Sequence, residues 1–513
     1  MCIRDRAIPH KEIMKTFRLR KKYQEFVRKY GVIKDNEPSD SRGMSITSGA
    51  IHPISSQSFK YMSLENWKKS MLKYGDNYRE RPESRKGGTR EHASDFNQTV
   101  KSNPEKFHSF INSLIDERAV SNDYIIEGYR GLIESQYDTE KVYLLYRKIM
   151  TFDNLDVSNL ISFLYTTKYL ISNELLDDNV LSFLSSLALN HPNPEKPLNP
   201  ESPEFDVNQT VRSIAIGLII DSFNYKQFQD KIFDTVEKVS YDEQISVKIA
   251  VISKLAFLKN LDIDRSFKIF EQMVQNDDVK LLNNSFWSAD YFKYEKFEEM
   301  LPYFNRIVEN TELHEKGSVI IAKAFIENKE YKGSYELLNR LASQSEEAIC
   351  QILHVAEANL YFENEFSQEC YDLLLKFLKV EGDDIASRYS GFILRKFKLS
   401  NFDIAYPFLI EYIKSSHCEK EPRYFFNYLA ESAKKHPLEC FQLFKKTVHL
   451  GNNDVQKRGY LRDEPVKVLL AIYNSLKKNN YNNSEINKLL DLLDEILKNQ
   501  RYRVDVSKVI DSI

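Results

Sequence analysis

The sequence predicts an all-α protein, an α-solenoid of stacked helix pairs behind an irregular N-terminal arm, and three observations lead there. Glycine and proline are scarce, 15 of each in 513 residues. Both break helices, and an all-β chain would need such residues at a turn roughly every ten positions. Ser63, Pro104, Asp156, Asp206, Asp264, Ser367 and Ser484 each stand ahead of an amphipathic segment. Asp and Ser accept the unpaired amide hydrogens of a first helical turn, and Pro has no amide hydrogen to leave unpaired there. The third observation is a repeat.

Aligning Met300, Tyr335, Tyr371, Tyr406 and Phe441 gives intervals of 35, 36, 35 and 35, and Phe267 and Phe233 extend the series upstream by 33 and 34. Around the last five anchors stand FEEMLPYFNRIV, YKGSYELLNRLA, FSQECYDLLLKFL, FDIAYPFLIEYI and PLECFQLFKKTV, each with apolar residues three and four apart. That spacing is the facing stripe of an amphipathic helix. A second helix fits between anchors, as at Ser318–Asn328 and Ala356–Glu363. One such pair cannot bury both apolar faces, so neighbours must stack, and Phe233, Phe267, Tyr335, Tyr371, Tyr406 and Phe441 are expected to be largely buried. A period of about 35 residues is that of tetratricopeptide and HEAT-type arrays. Val211-Arg212-Ser213-Ile214-Ala215 and, 36 residues on, Val247-Lys248-Ile249-Ala250 favour the HEAT-like geometry. The small Ala admits a close neighbour, and the basic group can reach an acid of the adjoining repeat.

In chain order, the opening MCIRDR resembles a translated sequencing-adapter remnant, so the natural chain is expected to continue upstream. Lys11–Tyr30 reads as a basic helix with Ile13, Phe17, Tyr23, Phe26 and Val27 on one stripe. Residues 31–60 lose periodicity and are expected to be irregular. A helix follows Ser63, with Trp67, Met71 and Tyr74 in its body, then a polar gap from Gly75 to Gly88. From Thr89 onward the reading is helix after helix. The exception is Asn190–Phe205, where Pro192, Pro194, Pro197, Pro200 and Pro203 forbid one. The organisation is therefore an arm over 1–60, a first helical segment over 61–190 and a helical-repeat region over 206–513.

Net charge is −3 but unevenly spread: residues 1–106 hold 23 Lys and Arg against 13 Asp and Glu, and the remainder 49 against 62. The basic front is read first as a solvated helix docking on something acidic, with nucleic acid as the alternative partner. Five cysteines without a CxxC pair, and no apolar run near the ~18 residues of a spanning helix, describe a soluble, cytoplasmic protein of a reducing compartment. No membrane partner is expected.

No P-loop, dinucleotide fingerprint, HExxH or GxSxG motif occurs. Gly87-Gly88 before a helix reads as a helix entry rather than an anion site. His417-Cys418 with His436 and Cys440 is the one metal-like grouping. Its spacing suits a repeat's second helix better than a zinc loop, and Pro437 keeps His436 and Cys440 off one regular helix. Glu298-Glu299 and Asp383-Asp384 diverge around a helix or sit at helix starts, so they are caps and solvated faces rather than an acid–base pair. Tyr and Phe total 62 and fall at core spacing. No catalytic, cofactor or metal residue is assigned.

Three segments, HPISSQSFKYMSLENWKKSMLKY (His52–Tyr74), GGTREHASDFNQTVKSNPEKF (Gly87–Phe107) and DVNQTVRSIAIGLI (Asp206–Ile219), resemble in order and spacing the C-terminal helical region of large bacterial NACHT- or STAND-type signalling ATPases. NKLLDLLDEILKNQ (Asn487–Gln500) is similar to the way that region ends. The resemblance implies a sensor or scaffold end of an ATPase, many of which serve in anti-phage defence, with the nucleotide-binding module elsewhere. The expected function is a non-catalytic interaction module. Its protein or peptide ligand would lie in a concave groove lined by the inner helices of 206–450. The alternatives are a nucleic-acid scaffold using the basic front and an enzyme with an unrecognised groove site.

Overall fold

A computed structural model describes residues 54 to 497 except 55, 60, 76–86, 153–154, 276–277, 329, 361–366, 398–400, 421, 448–463 and 480–482. The Lys11–Tyr30 helix and the opening hexapeptide lie outside the described residues. All regular structure among the described residues is helical.

A short α1 (Ser56–Phe59) and α2 (Leu64–Lys73) come first, so the stretch expected to be irregular contains one helical turn. Its Phe59 stacks on Trp67 with ring centroids 5.3 Å apart. Ser63 caps α2 as its sequence implies, accepting the Asn66 amide at 3.2 Å. Next come α3 (Thr89–Ser102), α4 (Pro104–Leu114), α5 (Asn122–Glu134), α6 (Thr139–Ile149), α7 (Val157–Ser172) and α8 (Asp178–Asn190). Pro104 opens α4, and Asp156 caps α7 through the Asn159 amide at 2.8 Å.

The proline-rich loop follows, and here one cap differs from expectation. Asp206 begins no α-helix; it sits in a 3-10 turn over Pro203–Asn208 with its carboxylate fully buried. It accepts the amides of Leu198 at 2.8 Å and Asn199 at 3.1 Å, tying the loop together. The next helix, α9 (Val211–Asp221), is instead capped across the loop, since the Asn193 side-chain oxygen accepts the Val211 amide at 2.8 Å. α8 packs against α9, so the helices on either side of the loop touch.

α10 (Gln229–Val239), α11 (Ile245–Ile252), α12 (Ile263–Val274), α13 (Val279–Lys296), α14 (Leu301–Glu309) and α15 (His314–Glu327) continue the chain. The cap of α12 is Asp262, two residues before the expected Asp264. α16 (Ser334–Gln344), α17 (Glu346–Asn359), α18 (Ser367–Phe377), α19 (Asp383–Lys396) and α20 (Phe402–Tyr412) follow. The last described elements are α21 (Ser416–Lys420), α22 (Pro422–Ser432), α23 (Pro437–Thr447), α24 (Glu464–Lys478) and α25 (Asn483–Leu497). The helices expected at Ser318–Asn328 and Ala356–Glu363 exist as α15 and α17, but both begin earlier, at His314 and Glu346.

Alternate helices touch one another along the chain. One row runs α3, α5, α7, α9, α11, α13, α15, α17, α19, α22 and α24, each packed on the next. The intervening helices lie against this inner row. The inner row is the more buried: α9 is an almost unbroken apolar segment, as a helix covered on several sides must be.

The anchor residues divide. Phe233, Phe267 and Phe441 are buried as expected. Tyr371 and Tyr406 are partly buried and pack against the core, whereas Tyr335 is 52% exposed, which corrects its assignment to the core. Tyr335 is the second residue of α16, a turn too early in the helix; Leu338, the fifth, is fully buried. Tyr406 keeps its hydroxyl outside, donating to Gln442 Oε1 at 3.0 Å.

Candidate functional site

The chemistry-bearing residues singled out in the sequence do not converge. His417 is fully buried on α21 with its ring 4.9 Å from that of Tyr389, and burial lowers its pKa. His436, at the entry to α23, stacks on Phe402 with centroids 4.6 Å apart, its Nδ1 3.7 Å from Asp403. Cys418 and Cys440 are fully buried, and loss of solvent pushes both thiols well above the usual range. Among the described residues no group of three or more His, Cys, Asp or Glu is placed to hold a metal ion. The Gly88 amide donates to Glu91 Oε2 at 2.6 Å, so the start of α3 is occupied by its own carboxylate. Asp383 pairs with Lys420 at 2.7 Å, and Glu299 lies 3.6 Å from Lys296. These acids serve the surface.

The basic residue of the HEAT-like pattern does reach a neighbouring acid at its first occurrence. Arg212 of α9 pairs with Asp242, which precedes α11. Its second occurrence differs: Lys248 is partly exposed and meets no carboxylate among the described residues.

The strongest surface feature is one the sequence did not isolate. On α13, Trp287, Tyr291 and Tyr294 are 40%, 41% and 50% exposed. They stand at spacings of four and three, continuing a stripe from Lys280 and Asn284, so one helix face presents them together. The opposite face carries Phe286, Ala289 and Phe292, all buried. α13 thus has aromatics on both sides, one side buried in the core and the other still 40–50% open to water.

The stripe extends across neighbouring elements. Phe223, just after α9, stacks on Phe257 with centroids 5.3 Å apart and planes 11° from parallel. Phe257, in the 3-10 turn after α11, meets Trp287 at 4.9 Å, and Trp287 meets Tyr291 at 4.8 Å. The result is an aromatic ribbon over three consecutive members of the inner row.

Charges along the ribbon are paired almost one to one. Lys254 binds Asp221 at 2.7 Å, and Lys259 stands 3.4 Å from Glu295 and 5.7 Å from the Tyr291 centroid. Beneath Tyr294, Lys293 is fully buried, 2.9 Å from both Asp290 and Glu327, with Lys323 2.8 Å from Asp290 on the other side. Burial alone would depress the Lys293 pKa, but its bonds to these carboxylates carry it above the ordinary lysine value. Two cations and two anions neutralise one another there, which fixes α13 against α15 while leaving little net charge under the aromatics.

Comparison with known proteins finds no matching family model and no matching curated protein. Among the described residues no helix is long and apolar enough to cross a membrane.

Proposed function

We propose that this chain is a non-catalytic helical-repeat scaffold that holds a polypeptide segment across the aromatic ribbon of α9, α11 and α13. The observation that carries this reading is the outward face of Trp287, Tyr291 and Tyr294. These three side chains keep 40–50% of their surface in water, and Trp and Tyr dominate the binding energy of protein interfaces. The nearly neutral setting suits an apolar or aromatic side chain of a partner better than a polyanion. Support for the solenoid form comes from the next-but-one packing of the inner row. The starts of α18, α20 and α23, at residues 367, 402 and 437, are separated by 35 and 35. The resemblance to the C-terminal region of NACHT- or STAND-type ATPases suits such a role, the nucleotide chemistry then residing in another part of the parent protein.

The reading is tested by selecting a displayed random-peptide library on the full chain and on a W287A/Y291A variant. Convergent peptides that bind the chain and lose at least about tenfold on the variant support it. Peptides that bind both equally would sink it.

A further inference from the structure

On the other side of the inner row, α4 and α6 frame an open cleft of about 670 Å³. Its wall is apolar: Leu145 is buried, while Leu144 is 55% exposed on the cleft face, with Met150 beside them. Its rim is cationic, carrying Lys141, Arg147 and Lys148.

The three cations are not equally satisfied. Arg147 is engaged by Asp177 at 2.7 Å. Lys141 donates to the Tyr137 hydroxyl at 3.0 Å, with the largely exposed Glu105 3.7 Å away and Asp138 also nearby as counter-charges. Lys148 donates to the neutral Asn112 oxygen at 2.7 Å, bridging the two helices, and meets no carboxylate among the described residues. His108 closes one side, its ring 5.5 Å from that of Tyr137. Burial first, and then the Lys141 charge, lower its pKa, so it adds no positive charge near neutral pH.

We propose that this cleft binds an amphiphilic anion, with a hydrocarbon body against Leu144 and Met150 and a carboxylate or phosphate head on Lys148 and Lys141. Neither half of the surface accounts for the ligand alone. A neutral hydrocarbon would leave the Lys148 ammonium without an anion, and a hydrophilic anion would leave the exposed Leu144 side chain in water. The volume falls in the range of about 300–1,000 Å³ that holds a small molecule, which disfavours a macromolecular occupant. The site lies on different helices from the aromatic ribbon and does not depend on it.

The test is calorimetric titration of the full chain, below micellar concentrations, with dodecanoate, dodecyl phosphate and dodecanol. At least one of the two anions is expected to bind one to one, and dodecanol at least about tenfold more weakly. The tighter anion identifies the head group. Lys148→Glu is expected to lower anion affinity by about tenfold or more and Lys148→Arg to retain it, the ammonium charge being what matters. Leu144→Asp is expected to lose binding with an unchanged melting temperature, since that side chain is mostly in water. Dodecanol binding as tightly as the anions would overturn the proposal. So would unchanged affinity in both Lys148→Glu and Leu144→Asp, or failure of both anions to bind the unaltered chain.

Discussion

Arg212 holds Asp242 through two parallel hydrogen bonds, Nε to Oδ2 and Nη2 to Oδ1, both 3.0 Å long. Each side chain is only 13% exposed, and Asp242 also accepts the Gln244 amide at 2.8 Å. The guanidinium also donates from Nη1 to the His191 carbonyl at 2.9 Å, so one residue links the proline-rich loop, α9 and the entry to α11. Arg212→Ala strands a nearly buried carboxylate and is expected to cost about 3 kcal/mol in urea unfolding. Arg212→Lys is expected to recover less than half of that, because an ammonium cannot span both oxygens. A loss below about 1 kcal/mol would class the pair with ordinary surface ion pairs.

Two anchor aromatics are expected to behave differently despite their equal place in the sequence alignment of the anchors. Phe233 is fully buried, and Phe233→Ala is expected to cost about 3–5 kcal/mol. Tyr371 is half-buried, meeting Phe408 edge-on with centroids 6.2 Å apart, so Tyr371→Ala is expected to cost about 1–2 kcal/mol. Equal losses in denaturant midpoint would contradict the observed difference in packing.

Gly131 of α5 marks a close helix crossing. A Cβ there would lie 2.7 Å from the Asn97 carbonyl oxygen and 2.9 Å from Val100 Cβ on α3. Gly131→Ala is therefore expected to lower stability by about 1–3 kcal/mol, although alanine favours helix by roughly 1 kcal/mol. Gly217 of α9 supplies the control, because its Cβ would meet only the flexible end of Lys254, at 3.5 Å. Gly217→Ala is expected to be neutral or stabilising by up to about 1 kcal/mol. Thermal unfolding of the two variants side by side decides the matter.

Acid is expected to weaken the N-terminal helices through His92. This ring is fully buried, its Nδ1 2.9 Å from the Tyr124 hydroxyl, which itself donates to the Tyr74 carbonyl at 2.8 Å. Burial lowers its pKa from 6.5 to about 4. An unfolded chain takes up this proton below about pH 6.5, while the folded chain resists until about pH 4. The contribution of neutral His92 is therefore whole above pH 6.5 and drains away as pH falls toward 4, by up to about 3 kcal/mol. Urea midpoints across pH 7 to 4 are expected to fall less steeply for His92→Gln than for the unaltered chain. His417, whose pKa burial also lowers, contributes in the same direction.

Local rules were legible in the sequence, and facing was not. Ser63 and Asp156 could be placed as caps because a cap needs only its own side chain and an amide three residues on. Asp206 has the same chemistry but bonds backward, to residues seven and eight earlier, which helix-start rules cannot foresee. The anchors share an interval rather than a position within each helix, so Tyr335 falls in the core set although it lies at the very start of α16. Trp287, Tyr291 and Tyr294 share the spacing of core residues. Nothing in the pattern tells them from Phe286 and Phe292 across the helix, because only the placement of α11 and α15 decides which side is covered. The cleft at Lys148 needed two helices to be seen together.

The next-but-one contact of the inner helices bears on how the polypeptide acquires its structure during synthesis. Each helix docks on partners that left the ribosome shortly before it, and the first helices need nothing from the last. Assembly can therefore keep pace with translation, each newly emerged pair finding a finished surface to seat on. The converse holds for dismantling. Under native conditions, amide protons of the outermost described helices are expected to exchange before those near α11 and α13.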